Sequence, residues 1–126
     1  LEVVYPPVAD DFQPADSAAR TQARTALGIA ASRLLLNVKR LHPLAGQRFL
    51  IEAMPVILSA QPECRLVVCG TGPLREELGS LAKRLGVGDA VTFAGLVDNA
   101  HVARLNRAAD LFVLPSLLEA CPTVAL

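Results

Sequence analysis

The chain has 126 residues, about the length of one domain around a single core, and 52% of them are apolar. Twelve Lys and Arg balance twelve Asp and Glu, so no global field draws in nucleic acid or an anionic membrane, and any bound anion must be held by a local constellation. Aromatic residues make up only 4%, which argues against a base-stacking platform for single strands, so no nucleic-acid partner is expected.

The opening "LEVVYPPVADDFQP" reads as a lead-in with a Pro-Pro break, and "ADSAARTQARTALGI" as a small polar helix with Ser17 as its cap and Gly28 as its stop. Residues 1–32 are therefore expected to be a lead-in segment and a peripheral helix. From residue 33 the rhythm is regular. "RLLLNVKR" (33–40) is a compact apolar strand, "LHPLAG" a loop, and "QRFLIEAMPVILSA" (47–60) a helix on the spacing of Phe49, Leu50, Met54 and Ile57. Pro55 is expected to kink that helix or tighten its first half. "CRLVVCG" (64–70) is the second strand, "TGP" its exit turn, and "LREELGSLAKRLG" (74–86) an amphipathic helix stopped by Gly86. "AVTFAG" (90–95), "NAHVARLNRAAD" (99–110) and "LFVLPS" (111–116) supply a third strand, a further helix and a fourth strand.

Strands that alternate with helices and are apolar on both faces predict a parallel sheet covered on both sides. Right-handed crossovers make this an α/β, Rossmann-like, doubly wound parallel sheet with strand order 3-2-1-4. Cys64, Cys69 and Cys121 are odd in number and have neither CxxC nor His-paired spacing, which favours a reducing cytoplasm over a disulfide framework and gives no metal site. No uncharged apolar run approaches the roughly 20 residues that span a bilayer. The chain opens on Leu1 and ends soon after an apparent helix start, so a piece of a larger protein is expected.

Ligands of such sheets bind beyond the carboxyl ends of the strands, where strand order reverses, here between strands one and four. Arg40, leaving strand one, and Glu119, following strand four, are expected to face each other across that crevice. Arg40 offers a planar, permanent cation for phosphate oxygens. A helix starting near Thr123, with Pro122 at its head, would turn backbone N–H groups and a positive dipole end toward the same place. Glu119 only accepts hydrogen bonds and suits sugar hydroxyls. "GTGP" (Gly70, Gly72) and "GLVD" (Gly95, Leu96, Val97) complete the rim. Together these groups describe a site for a sugar joined to a diphosphate.

"LLLNVKRLHPLAG", "RLVVCGTGPLREELGSLAKRLGVGDAVTFAGLVD" and "AADLFVLPSLLEACPTVAL" resemble the C-terminal, donor-binding domain of GT-B fold retaining glycosyltransferases, family 4 (glycosyl transferase group 1). The resemblance runs from about residue 33 to the end, with "VVYPPVADDFQP" similar to the segment that leads into that domain. It implies that residues 33–126 are a nucleotide-sugar-binding domain, incomplete at its C-terminus. The family signature is a Glu, seven residues, then a second Glu; the first contacts the donor sugar and the second the ribose. Glu119 fits the first place, and counting seven onward ends at Leu126, so a Glu is expected next. The resemblance also implies that Arg40, with the Thr123 and Val124 amides, holds the diphosphate, and that Gly95, Leu96 and Val97 line the base pocket by backbone contact.

Departures from the family pattern bear on the donor. Ala45 stands where a Lys precedes Gly46, Lys39 stands where a Gly is common, and "ACP" replaces Gly-aromatic-Gly after Glu119. Lys39 is a second candidate cation, although neighbouring strand residues point to opposite faces. Taken alone, Glu119 is a solvated carboxylate, Arg40 a surface ion-pair partner, "GTGP" a tight turn, His42 a solvated loop histidine, His101 a structural helix residue and Cys121 a packing residue. No DxD pair suggests a metal-bound diphosphate.

The expected parent is a cytoplasmic hexosyltransferase, with peripheral association at the inner membrane face as an alternative. It needs no cofactor, binds a nucleotide-sugar donor, and takes its acceptor on an N-terminal domain outside these residues. The isolated piece is expected to be inactive and to dimerise through a bare strand-four edge. Two rivals remain: a non-catalytic nucleotide-sugar-binding or scaffold domain, which Ala45 keeps open, and a dinucleotide-binding Rossmann domain, which lacks its GxGxxG after strand one.

Overall fold

A computed structural model describes residues 16–29 and 33–115. In chain order these form α1 (Ser17–Ala26), β1 (Arg33–Val38), a 3-10 turn (Pro43–Ala45), α2 (Gln47–Ala60), β2 (Cys64–Cys69), α3 (Arg75–Arg84), a second 3-10 turn (Gly88–Ala90), β3 (Val91–Gly95), α4 (Asn99–Ala108) and β4 (Leu111–Phe112). All pairings are parallel and the order is β3-β2-β1-β4, as the sequence pattern predicts. β1 and β2 pair over their whole length, from Arg33↔Cys64 to Val38↔Cys69, whereas β1 and β4 share only Leu35↔Leu111 and Leu36↔Phe112.

The alternation of side chains along β1 and β2 builds one core on each sheet face. Leu66 and Val68 join Leu41, Leu50, Ile51, Met54 and Leu78 under α2 and α3. Leu34, Leu36, Val67 and Cys69 meet Leu105 and Ala108 of α4, with Ala23 and Leu27 of α1 packed against them. Each fully buried aliphatic side chain contributes about 1.5–3 kcal/mol of transfer free energy. Among the described residues no helix is long and apolar enough to cross a membrane.

Several boundaries move. Asp16, not Ser17, caps α1: its side chain accepts a hydrogen bond from Ala19 N. The first strand ends at Val38 and the fourth at Phe112, short of residues 40 and 116, because the chain leaves the sheet where the switch point opens. The helices over 74–86 and 99–110 contract to Arg75–Arg84 and Asn99–Ala108. α2 keeps its helical assignment through Pro55 to Ala60. β3 is apolar on one face only, with Thr92 and Ala94 exposed, since it lies at the sheet edge.

The end of the sheet opposite the switch point is tied by Asp110. Its Oδ2 accepts from Leu34 N at 2.8 Å and from Arg24 Nη1 at 2.8 Å, and Asp110 N donates to Leu34 O at 2.9 Å. Arg24 Nη1 also donates to Ala108 O at 3.2 Å, so α1 is fastened to α4 and β4 together. Asp110→Ala is expected to lower stability by about 1–2 kcal/mol, a value discounted for partial exposure. Asp110→Asn, which keeps an acceptor for Leu34 N, is expected to lose less; urea midpoints of the two variants check the order.

Candidate functional site

Because every strand is parallel, the exits of β1, β2 and β3 and the start of α2 lie along one edge of the sheet. The β1 exit does not drift there; it rides on the β2 exit. Lys39 N donates to Cys69 O at 3.1 Å, Leu41 N to Thr71 O at 2.9 Å, and Leu74 N to Leu41 O at 3.4 Å. A Cβ on Gly70 would run into the Lys39 carbonyl, and one on Gly72 into that of Leu41. The "GTGP" glycines therefore serve the close approach of two backbones, and hold the stretch that carries Arg40. Leu41 is fully buried while the Arg40 side chain is exposed, so the cation emerges beside a fixed anchor. Since Lys39 and Arg40 lie past the strand, pleat alternation no longer separates them.

The rim continues from β3. Gly70 N donates to Gly95 O at 2.8 Å, across an irregularity that brings Cys69 opposite Gly95. Leu96 is 84% exposed, whereas Val97 packs against the core under α4 and has its backbone, not its side chain, to offer.

At the start of α2 sequence reasoning marked Ala45 and Gly46 but missed the conformation of the helix head. His42 Nδ1 accepts from Leu44 N at 3.2 Å, which caps the 3-10 turn Pro43–Ala45. Gly46 then takes a left-handed conformation, φ 75°, and a Cβ on it would enter the Pro115 carbonyl. The head of α2 is thereby pressed against the β4 exit. No side chain caps α2 and its first turn holds no acid. The other described helices are complemented: Asp16 caps α1, Asp98 caps α4, and Glu76 and Glu77 occupy the first turn of α3. An uncapped helix head, whose first residue bonds the backbone carbonyl of the exposed Arg40, suits an anion. Arg48, on the same turn, donates to Glu52 at 2.8 Å along the helix. That bond raises its pKa. Ala45 is 4% exposed and puts no charge on the rim.

Behind this head lie two buried amides. Asn37, 0% exposed, donates from Nδ2 to Val113 O at 2.8 Å, where the ladder to β4 has run out. Gln47, 1% exposed, donates from Nε2 toward Arg40 O at 3.1 Å, Asn37 Oδ1 at 3.3 Å and Lys39 O at 3.4 Å. Two signals for these residues were available in the sequence: an Asn inside the apolar run "RLLLNV", and a Gly-Gln opening a helix without an acid.

The structure thus brings Lys39, Arg40, Gly70, Gly72, Gly95, Leu96 and Val97 to a common edge. Glu119, Cys121, Pro122, Thr123 and Val124 lie outside the described residues. His101 belongs to the α4 face; its Nδ1 lies 3.3 Å from Arg104 Nη2.

Neither described cysteine is poised as a nucleophile. Burial pushes the Cys69 thiol from 9.0 up to about 11 and also raises Cys64. With the folded value raised, the stabilisation is complete below about pH 9 and is lost as pH climbs toward 11. At pH 8 a thiol reagent is expected to leave both unmodified in the native chain and to label both after unfolding, as read by peptide mapping.

The sequence profile of a family described as glycosyl transferases group 1 matches residues 19–126. The chain is 38% identical over 130 residues to a D-inositol 3-phosphate glycosyltransferase of Segniliparus rotundus, covering 98% of this chain and 28% of that protein. It is 36% identical over 116 residues to a GDP-mannose-dependent alpha-(1-6)-phosphatidylinositol monomannoside mannosyltransferase of Mycobacterium tuberculosis, covering 91% of this chain and 30% of that protein. It therefore spans less than a third of these curated relatives. Among solved structures, the C-terminal domain of a glycosyl transferase group 1 family protein (LpcC) of Francisella tularensis superposes with a TM-score of 0.81 at 25% identity, covering 94% of this chain and 64% of that one. HepE of Anabaena, in complex with UDP and glucose, superposes with a TM-score of 0.71 at 25% identity, covering 91% of this chain and 31% of that one.

Proposed function

This chain belongs to the glycosyl transferases group 1 family, and we propose that it forms the donor-binding half of a retaining glycosyltransferase. The parent moves a sugar from a nucleotide-diphosphate sugar to an acceptor held outside these residues. One observation carries this reading: the uncapped head of α2, wedged by Gly46 against Pro115, opens beside the exposed Arg40 at the switch point of the sheet. HepE, of similar fold, is complexed with UDP and glucose, which supports a nucleoside diphosphate as the ligand class.

In this mechanism the bond between the anomeric carbon and the diphosphate oxygen breaks, and its electron pair leaves with the nucleoside diphosphate. Negative charge grows on the departing phosphate oxygens. Arg40 and the α2 head stabilise it, joined by the Thr123 and Val124 amides, and Lys39 stands one residue away as a further cation. Glu119 accepts hydrogen bonds from the sugar hydroxyls, and the backbone of Gly95, Leu96 and Val97 lines the base. The four exits are rigidly braced by backbone bonds, so little reorganisation is required when the charge develops.

Calorimetry of the full-length parent with UDP, GDP, ADP and NAD tests the proposal. Binding of at least one nucleoside diphosphate is expected. NAD binding alone would sink the proposal and favour a dinucleotide-binding domain. A second reading, donor binding without transfer, is favoured by the buried, uncharged Ala45; tight donor binding with no turnover would select it.

A further inference from the structure

We propose that Gln47 is a positioning residue for the diphosphate site: its amide grips the carbonyls on either side of the Arg40 Cα and so sets where the Arg40 guanidinium stands relative to the head of α2. The inference rests on the donor-binding reading above.

Its starting point is cost. A buried amide without partners costs about 1–3 kcal/mol, so the core between β1 and α2 would be served as well by an apolar side chain of the same volume. Gln47 and Asn37 are nonetheless buried there at 1% and 0% exposure. Gln47 Nε2 stands among three acceptors, Arg40 O, Lys39 O and Asn37 Oδ1, at 3.1–3.4 Å. Turning the amide over would set Oε1 against those three oxygens, so the chemistry dictates the orientation. Gln47 Oε1 itself has no hydrogen-bond partner among the described residues. Gln47 is thus spent on its donor end.

What the donor end holds is the stretch just past β1, on the side where β4 no longer pairs. Pairing with β4 ends at Leu36↔Phe112, followed by one further bond, Val113 N to Leu36 O at 2.8 Å. Beyond that point Asn37 Nδ2 takes Val113 O, and Gln47 Nε2 takes Arg40 O and reaches Lys39 O. Gln47 is also the first residue of α2. A single side chain therefore joins the residue that carries the cation to the helix whose dipole end meets the same anion. Two groups that act on one diphosphate are most effective when their spacing is set before the ligand arrives.

The test uses the full-length parent and the nucleoside diphosphate that the wild type binds, with the matching nucleoside as control. Gln47→Met keeps the volume and removes the donor. It is expected to weaken diphosphate binding about 10-fold, leave nucleoside affinity within about 2-fold, and have almost no effect in an Arg40→Ala background. An equal loss for the nucleoside, or a full loss persisting in the Arg40→Ala background, overturns the inference and returns Gln47 to packing alone. Should Gln47→Met fail to fold, Gln47→Glu serves instead. Its neutral acid can donate to Arg40 O and its anion cannot, so affinity relative to wild type should recover as pH falls, and more steeply than in an Arg40→Ala background, where only charge repulsion is relieved. The same recovery in both backgrounds, or a flat ratio, overturns the inference. A wild type that binds no nucleoside diphosphate overturns both readings. Wild-type binding with an unaltered Gln47→Met overturns the positioning role alone.

Discussion

Arg40→Ala in the full-length parent lowers nucleoside-diphosphate affinity by about 10- to 100-fold, the ~1.5–3 kcal/mol of a hydrogen bond to a charged group. The nucleoside lacking phosphates loses almost nothing, because the substitution removes a cation and not the base pocket. Since charge on the phosphate oxygens grows as the sugar departs, kcat falls as well as affinity. The side chain is exposed and its neighbour Leu41 is buried, so the fold has no reason to suffer and the melting temperature should stay within a degree or two. Calorimetry with the diphosphate and the nucleoside in parallel checks this. Arg40→Lys recovers part of the binding, since the charge returns without the planar fork.

Gly46→Ala has a larger structural effect. The position has φ 75°, which costs a residue with a Cβ about 1–2 kcal/mol, and the added carbon would enter the Pro115 carbonyl, a backbone atom that cannot swing aside. Overpacking of this kind adds about 1–3 kcal/mol, so a total loss of about 2–5 kcal/mol is expected in urea unfolding. Any relief must move the head of α2 away from the β4 exit, which widens the crevice. Gly46→Ala should therefore weaken diphosphate binding even at temperatures where it remains folded. Gly28→Ala is the control: Gly28 has a similar φ of 70° but open space around it, and only the conformational cost is expected there.

The order of the strands was legible because it follows from local patterns. "RLLLNV", "CRLVVC" and "VTFAG" are apolar runs separated by helical periodicity, and the right-handed crossover leaves few arrangements for such a succession. That Arg40 sits at the carboxyl edge needs only the strand that precedes it. The strand ends were less legible. β4 is two residues long where the stretch 111–116 suggested more, because beyond Leu36↔Phe112 the ladder gives way to one backbone bond from Val113 and to the Asn37 side chain. Apolarity reports burial, and burial does not require a ladder.

The α2 head escaped notice for a related reason. Locally "AGQR" offers only a Gly-Gln opening a helix without an acid, with Ala45 where the family pattern has a Lys; the wedge at this head comes from Pro115, far along the chain, whose carbonyl leaves no room for a side chain at residue 46. Gln47 likewise reads as an ordinary surface polar residue until its amide is found against Arg40 O and Asn37 Oδ1.

By itself, then, the amino-acid sequence determined the alternating architecture, the edge of the sheet on which the strand exits lie, and the cation that leaves the first strand, since each depends on periodicity and chain direction within a few residues. Tertiary structure alone decided which uncapped helix head is tied to the residue bearing that cation, why residues 46, 70 and 72 must be glycine, and what the buried amides hold. Those properties belong to contacts between segments remote in the chain, where a carbonyl of one strand exit sets what another can carry.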